Sequence, residues 1–425
     1  MRADAKILTA RRGAAVRECP PMRAATLAFL VPFLPLVAQA ENDPTTDGAR
    51  PAATASAVPI IGGTNAPAGK WPDVAAVYID NTQECTGTLI APNVVITAGH
   101  CNDPAGHINK VLIGTSSLAK PSEGEIILVT QTFEYPNSQT SFDVTALVLA
   151  KNSTRAPRPI ASGWASLDIK NGASVAIVGF GAIDNMANVY VNELKEATTT
   201  ITDADCTLHP NDCQNAAKPA GELGAGGMGI DTCPGDSGGP LYTTGAGGTF
   251  LAGVTSRGYV ANQFQCSEGG LYVRPDKLLK WLTDTTGADI AHGPTPSVSD
   301  MLTAVRGNPA DATIDANDPA SDKHTYAITT PPKYGTAVIH DDGKLRVCTD
   351  PGVVVKDAIA ISITDKNDAT RTLSYTIPID VTDGTPGTCD LTGGDSGGCC
   401  DARRSAGGSL PLGIGVLLLL RRRRR

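Results

Sequence analysis

A chain of 425 residues is too long for one ordinary domain and too short for three large ones, so two domains plus processing segments are expected. Hydrophobic residues make up 41%, enough to build cores and exclude a disordered chain, while aromatics at 4% and charged residues at 18% favour turns and extended β structure over charged helices. The formal net charge of −8 argues against nucleic-acid binding, which needs a broad cationic surface.

In chain order, residues 22–40 (MRAATLAFLVPFLPLVAQA) have a basic start, an apolar run over 24–37 and small residues before a cut after Ala40. That is the pattern of a secretory signal peptide, with Met22 as the expected start and residues 1–40 as leader. A membrane-spanning helix fits less well, because Pro32 and Pro35 break a run that is already short. Residues 60–288 show β-type runs at 74–79, 87–98, 125–130, 144–149 and 174–179, separated by Gly, Pro, Asn and Asp clusters. One segment there reads as a helix, 274–286, with Pro275 near its start and apolar Leu278, Leu279, Trp281 and Leu282. Residues 289–298 read as a Pro/Ser/Thr linker. A second β pattern covers 299–384, with alternation at 344–347, 358–363 and 373–379, and residues 385–398 form a Gly/Thr/Ser linker. The last segment, 399–425, holds Cys399, Cys400, an apolar run over 410–420 and five arginines, Arg421 to Arg425, of the kind that stop transfer. No internal repeat is evident. The charge is uneven: residues 41–400 hold 22 Lys and Arg against 40 Asp and Glu, a net −18. The exported body is strongly acidic.

Cysteine usage agrees with export. Of eleven cysteines, Cys19 lies in the leader, and Cys85, Cys101, Cys206, Cys213, Cys233 and Cys266 form an even set suited to three disulfides. Cys348 and Cys389 stand apart and could pair with each other. Zinc is a weak alternative, because no C-x-x-C and no H-x₃₋₅-H occurs among the six.

The most informative residues are 231–240, DTCPGDSGGP. A hydroxyl attacks a carbonyl near neutral pH only if a base takes its proton and donors hold the oxyanion. Ser237 is flanked by glycines that let the N–H groups of Gly235 and Ser237 point to one spot. His100 in TAGHC is the candidate base. Asp143, at the edge of an apolar strand in SFDVTALVLA, is the carboxylate that would hold the imidazole tautomer.

With IIGG at 60–63, CTGTLIAPNVVITAGHC at 85–101 and the closing GGLYVRP, residues 60–288 resemble a trypsin-like serine protease of the chymotrypsin clan. The order His, Asp, Ser is that family's. It disposes of the α/β-hydrolase reading of GDSGG, which needs the acid and histidine after the serine; His292, His324 and His340 do follow, but in the linker and second domain. The resemblance implies two antiparallel β-barrels, a propeptide at 41–59 and a cut before Ile60, whose new α-amino group would pair with Asp236. It implies disulfides Cys85–Cys101 and Cys233–Cys266, and Cys206–Cys213 as a third with a shorter loop. It also implies that Asp231, six residues before Ser237, is the floor of a pocket for Arg or Lys, with Gly258 and Gly270 keeping the pocket open and Ser256 on the strand that pairs with substrate backbone.

Three departures stand out. Pro59 precedes Ile60 where a self-activating trypsin has Arg or Lys, so a separate activating protease is expected. Arg257 stands where the family usually has a tryptophan. Residues 214–230 are long and rich in Gly and Ala.

Residues 299–384 resemble the cadherin-like or immunoglobulin-like β-sandwich modules of bacterial surface proteins, a spacer or adhesion unit. Asp311, Asp315, Asn317, Asp318, Asp322, Asp365, Asn367 and Asp368 are open to two readings, solvated turns or calcium ligands; otherwise neither a cofactor nor a catalytic metal is expected. The string GGDSGGCC around Ser396 repeats the nucleophile motif in a linker without a His or Asp framework and is read as coincidence. The tail resembles the C-terminal sorting signal of myxobacterial surface proteins, which implies sorting machinery at the envelope, processing near Cys399 or Cys400 and membrane association through that anchor; a retained membrane anchor is the alternative. The fold class expected is mostly β, a double barrel followed by a smaller sandwich. Two functions follow from these readings: an exported, surface-held serine endopeptidase acting on proteins or peptides, or a catalytically inactive adhesion protein on a protease fold.

Overall fold

The structure, a computed structural model, describes residues 60–102 and 106–391. The segments read as leader and propeptide, together with Ser396, Cys399 and Cys400, lie outside the described residues.

The fold is mostly β. After a two-residue strand β1 (Thr64–Asn65), strands β2 (Val74–Ile79), β3 (Thr82–Ala91), β4 (Val94–Thr97), β5 (Ile108–Ile113), β6 (Glu125–Glu134) and β7 (Thr145–Leu149) close into a barrel in the order β2-β3-β4-β7-β6-β5. The run expected as one strand over 87–98 is instead a hairpin. It breaks at Pro92, which has no N–H for a ladder, and Asn93, a turn former.

Strands β8 (Ser174–Gly179), β9 (Lys195–Asp203), β10 (Glu222–Ala225), β11 (Pro240–Gly245), β12 (Gly248–Gly258) and β13 (Gly270–Val273) form a second sheet, ordered β9-β10-β13-β12-β11-β8 with β1 on its β9 edge. Pairing of β8 with β9 closes it into a second barrel. Helix α1 (Leu279–Thr286) follows a tight turn at Pro275–Leu278 and ends at Gly287, whose φ of +65° caps it.

Between the barrels lies a shared core containing Trp71, Ile90, Val178, Phe180, Tyr242 and Leu282. Trp71 and Tyr242 stack with centroids 4.6 Å apart. Buried Asp73 accepts hydrogen bonds from Tyr242 Oη and from Arg158 Nε and Nη2, so the turn that enters β2 of the first barrel is tied to β11 of the second.

Seven further strands make a two-sheet unit: β14 (Leu302–Val305), β15 (Pro309–Thr313), β16 (His324–Thr330), β17 (Gly335–Ile339), β18 (Lys344–Thr349), β19 (Lys356–Asp365) and β20 (Thr372–Thr382). One sheet runs β14-β20-β19-β16, with β14 and β20 parallel, and the other β15-β18-β17. The alternation of β19 turns Ile359, Ile361 and Ile363 inward, where Ile377, Ile379 and Val381 of β20 meet them. The disulfide Cys348–Cys389 ties residues beyond 384 back onto this unit, so the segment read as a linker from 385 is anchored at its start.

Residues 289–298, read as a linker, are not a loose tether. Ile290 is buried, Ala291 N–H donates to Ile90 O, Gly293 N–H donates to Ile160 O, and Pro294 O accepts from Trp164 N–H. The turn at Gly163–Asp168, on the double-barrel side, enters the sandwich core. Trp164 is 1% exposed and packs among Leu302, Ile314 and Ile363, its Nε1–H donates to Ala316 O at 2.5 Å, and Arg371 reaches back to Asp168 at 2.8 Å. The sandwich is completed by a tryptophan from its neighbour. Truncation of so deeply buried an indole removes roughly 3–5 kcal/mol. Trp164→Ala is therefore expected to split one cooperative calorimetric transition into two, with the sandwich melting first; a single unshifted transition would contradict shared packing.

Candidate active site

His100 lies in the tight turn Gly99–Cys101 that follows β4, and the Cys85–Cys101 disulfide pins that turn to β3. Asp143 stands two residues before β7 and is 7% exposed. Its Oδ1 accepts the His100 backbone N–H and its Oδ2 accepts His100 Nδ1–H, both at 2.8 Å. The second barrel contributes a further donor, Ser256 Oγ–H to Asp143 Oδ2 at 2.6 Å. Ser256 can do this because it sits at a bulge, where β12 slips its register against β13 between Thr255 and Arg257.

Ser237 lies on the loop that joins Cys233 to β11. That loop is held from both barrels: Thr86 N–H donates to Ser237 O, Thr86 Oγ1–H to Gly235 O, and Gly238 N–H to Thr255 O. Gly238 has φ +80°, and a Cβ there would meet Thr97 Oγ1 at 2.1 Å and Thr86 O at 2.4 Å, so only glycine fits. Gly235, at φ +96°, turns its carbonyl to Thr86. Among the described residues, the N–H groups of Gly235 and Ser237 donate to no protein acceptor, so two donors beside the Ser237 hydroxyl are left unused. His100, Ser237, Ser256 and Gly258 line one cleft of about 380 Å³ with Thr232 and Arg257. His100 and Ser237 share it without a direct hydrogen bond.

Electrostatics follow from burial and partners. Burial works to push the His100 imidazolium down, but the Asp143 hydrogen bond and charge outweigh it, and Arg257 subtracts a little, so His100 ends above its ordinary 6.5. Burial works to raise Asp143, yet the donors from His100 and Ser256 hold it below the ordinary carboxylate range. Such a pair holds one imidazole tautomer and favours its protonated form.

Asp236 and Asp231 are different. Asp236 is fully buried and accepts Gly181 N–H at 2.7 Å and Cys233 N–H at 2.9 Å; burial pushes it up to about 7. Asp231 accepts Gly269 N–H at 2.9 Å and Thr232 N–H at 2.8 Å; burial pushes it up to about 6. Among the described residues neither has a cation partner. Ile60 is fully buried in the core of the second barrel. The structure brings Ser256 and Gly258 into the cleft with His100 and Ser237, but not Asp231 or Gly270: Asp231 sits behind Thr232, turned to backbone amides.

The structure forms Cys85–Cys101, Cys206–Cys213 and Cys233–Cys266. Cys206, Cys213 and Glu222 bring three potential metal-ligand residues together, but both sulfurs are in a disulfide and Glu222 is paired with Arg257. Among the described residues no three of the sandwich carboxylates converge. Asp315, Asp318, Asp365 and Asp368 instead cap local backbone N–H groups, and Asp311 pairs with Arg346. Sequence reading missed the Ser256 hydroxyl as a partner of Asp143, the Thr86 tether and the Arg257–Glu222 pair; no local signal marks any of them.

Two closed six-stranded barrels that present a histidine and a serine at one cleft, with a buried carboxylate on the histidine's Nδ1, define a serine hydrolase of the double-barrel kind. A family model described as Trypsin matches residues 60–282. The chain belongs to the trypsin family and is a serine-type endopeptidase. It is 29% identical over 238 residues to brachyurin of Leptuca pugilator, covering 54% of this chain and 99% of that protein. It is 30% identical over 213 residues to a trypsin of Saccharopolyspora erythraea, covering 47% of this chain and 86% of that one. Among solved structures it aligns with neuropsin, a serine protease expressed in the limbic system of mouse brain, at 26% identity and a TM-score of 0.43, over 52% of this chain and 98% of that one.

The raised Asp236 carries a sign. Its folded value of about 7 exceeds the ordinary 3.8, so the stability it gives is full below about 3.8 and is lost as pH rises through about 7. The uncut chain, as Ser237→Ala to prevent autolysis, is expected to be more stable to urea at pH 5 than at pH 8. Adding Asp236→Asn should shrink that difference whatever it does to absolute stability, and an unchanged difference would refute the assignment.

Proposed function

We propose that this endopeptidase cleaves after Arg or Lys, that it is made as a precursor, and that it is exported and held at the cell surface. The observation that carries the specificity is Asp231, a carboxylate 2% exposed, satisfied by backbone N–H groups and raised to about 6 because burial disfavours its charge. A guanidinium or ammonium arriving beside it restores the ionised form; an uncharged side chain leaves it uncompensated. Gly226 and Gly269 pack beside that carboxylate, which keeps bulk away from it.

In the proposed mechanism Ser237 Oγ attacks the scissile carbonyl while His100 Nε2 takes its proton. Asp143 holds the imidazole through Nδ1–H and stabilises the imidazolium. The N–H groups of Gly235 and Ser237 receive the oxyanion. His100 then protonates the leaving amine, and water, activated by the same imidazole, releases the acid from Ser237. No cofactor enters these steps.

Activation is proposed as a cut before Ile60. The new α-ammonium would pair with Asp236, the fully buried carboxylate that has no cation partner among the described residues. Ile60, a β-branched residue, has φ +31°, a conformation that depends on the preceding carbonyl and is released once that bond is cut. Because Pro59 is no substrate for an Arg- or Lys-directed enzyme, a second protease makes the cut. The sandwich at 299–384 is proposed as a cadherin- or immunoglobulin-like spacer or adhesion unit, and the tail as a sorting signal processed near Cys399 or Cys400. No helix among the described residues is long and apolar enough to cross a membrane.

Activated protein is expected to take a fluorophosphonate on Ser237 and to hydrolyse Arg- and Lys-amides, both lost in Ser237→Ala. Asp231→Asn should lower kcat/KM for those amides by roughly 10²–10³-fold while labelling persists. Amide hydrolysis surviving in Ser237→Ala would overturn the mechanism, and an unaffected Asp231→Asn the specificity. N-terminal sequencing with intact mass of the exported form reads both ends at once: a start at Ile60 and an end near Cys399 or Cys400 are expected, and a retained Arg425 would reject tail processing.

A further inference from the structure

Arg257 is fastened in place more completely than a surface arginine needs to be. Its Nη1 donates to Glu222 Oε1 at 2.7 Å and to Ser256 Oγ at 3.1 Å; its Nη2 donates to Glu222 Oε2 at 3.0 Å and to Asp212 O at 2.8 Å. All four terminal N–H bonds are used. Glu222, its partner, is fully buried, and the Arg257 side chain keeps 29% exposure. A guanidinium whose in-plane donors are taken by protein offers the cleft chiefly its flat face.

Arg257 lines two adjoining spaces. One is the cleft shared by His100 and Ser237. The other, about 160 Å³, is walled by His100, Ser138, Gln139, Asp143, Gln214 and Arg257. The oxygens of Asp143 are engaged by His100 and Ser256, so the groups of the second space left to meet a side chain are the amides of Gln139 and Gln214, the Ser138 hydroxyl and Arg257. Because both spaces share His100 and Arg257, a substrate whose cationic residue occupies the first would set its preceding residue over the second.

We propose that Arg257 is a specificity-determining residue whose guanidinium face selects a planar, aromatic side chain on the substrate residue immediately before the Arg or Lys. The inference rests on the endopeptidase reading above. A carboxylate there gains little, since only Nε–H remains to donate and Glu222 already cancels the charge. A branched aliphatic chain fills the volume without a π face to stack.

The test compares kcat/KM on acetyl-X-Arg amides with X as Tyr, Phe, Leu or Asp. Tyr and Phe are expected to exceed Leu by about two- to fivefold, the range for a stacked cation on a partly exposed ring. Arg257→Lys keeps a cation facing Glu222 but has no flat face, so its Tyr-to-Leu ratio should fall toward one; circular dichroism confirms that the variant is folded. A native ratio near one, a preference for Asp, or an unchanged ratio in Arg257→Lys overturns the inference while hydrolysis itself persists. If no amide is hydrolysed and Ser237 takes no fluorophosphonate, the endopeptidase reading fails and this inference with it.

Discussion

Taking a carboxylate out of water is tolerable only where donors replace the water, and the organisation of the double barrel follows from how its buried acids are supplied. Asp73 receives Arg158 and Tyr242, which fastens the barrels together. Asp143 receives His100 from one barrel and Ser256 from the other, so the geometry of the proposed triad depends on how the barrels dock. Glu222 receives Arg257. Asp231 and Asp236 receive backbone N–H groups and no cation among the described residues, and these are the two that burial drives up to about 6 and about 7. The acids with cationic or hydroxyl partners set architecture. The two without a cation stand where the proposed chemistry brings a charge from outside.

The same logic of shared burial joins the two parts of the chain. A small sandwich has a limited core, and this one draws Trp164 from the neighbouring turn into its centre while Arg371 returns an ion pair to Asp168. The intervening residues 289–298 run in contact, with Ile290 buried and backbone bonds to both sides. Orientation is therefore set by packing and not by the length of a tether.

The chemistry was legible in the sequence wherever function demands particular residues at fixed local spacing. GDSGGP and TAGHC are such places: a nucleophile on a tight turn needs its glycines, and Gly238 has no room for a Cβ. Asp143 was legible from its position at the edge of an apolar strand. What stayed hidden depends on contacts across the chain. Ser256 reaches Asp143 across 113 positions, and only because a bulge re-aims its side chain. Glu222 and Arg257 meet across 35. Trp164 reads locally like any core tryptophan; nothing near it says that its core belongs to the next unit. The composition of 289–298 suggested a free linker because Pro, Ser and Thr disfavour helix and strand, yet lacking regular structure is not the same as lacking contacts. Asp231 shows the converse: its position along the motif was readable, while its turn toward the amides of Thr232 and Gly269 was not.

Charge near the cleft ties these threads together. An arginine beside His100 would, uncompensated, repel an incoming Arg or Lys and press the imidazole pKa down. Glu222, buried at 2.7 Å from Arg257, cancels most of that field, and His100 still ends above its ordinary value because Asp143 prevails. The guanidinium is left as a surface more than as a charge. Meanwhile the stretch from 41 to 400 carries a net −18, which draws cationic segments toward the molecule at low ionic strength. A neutralised arginine at the cleft and an acidic body are compatible with a cationic substrate; the same arginine without Glu222 would not be.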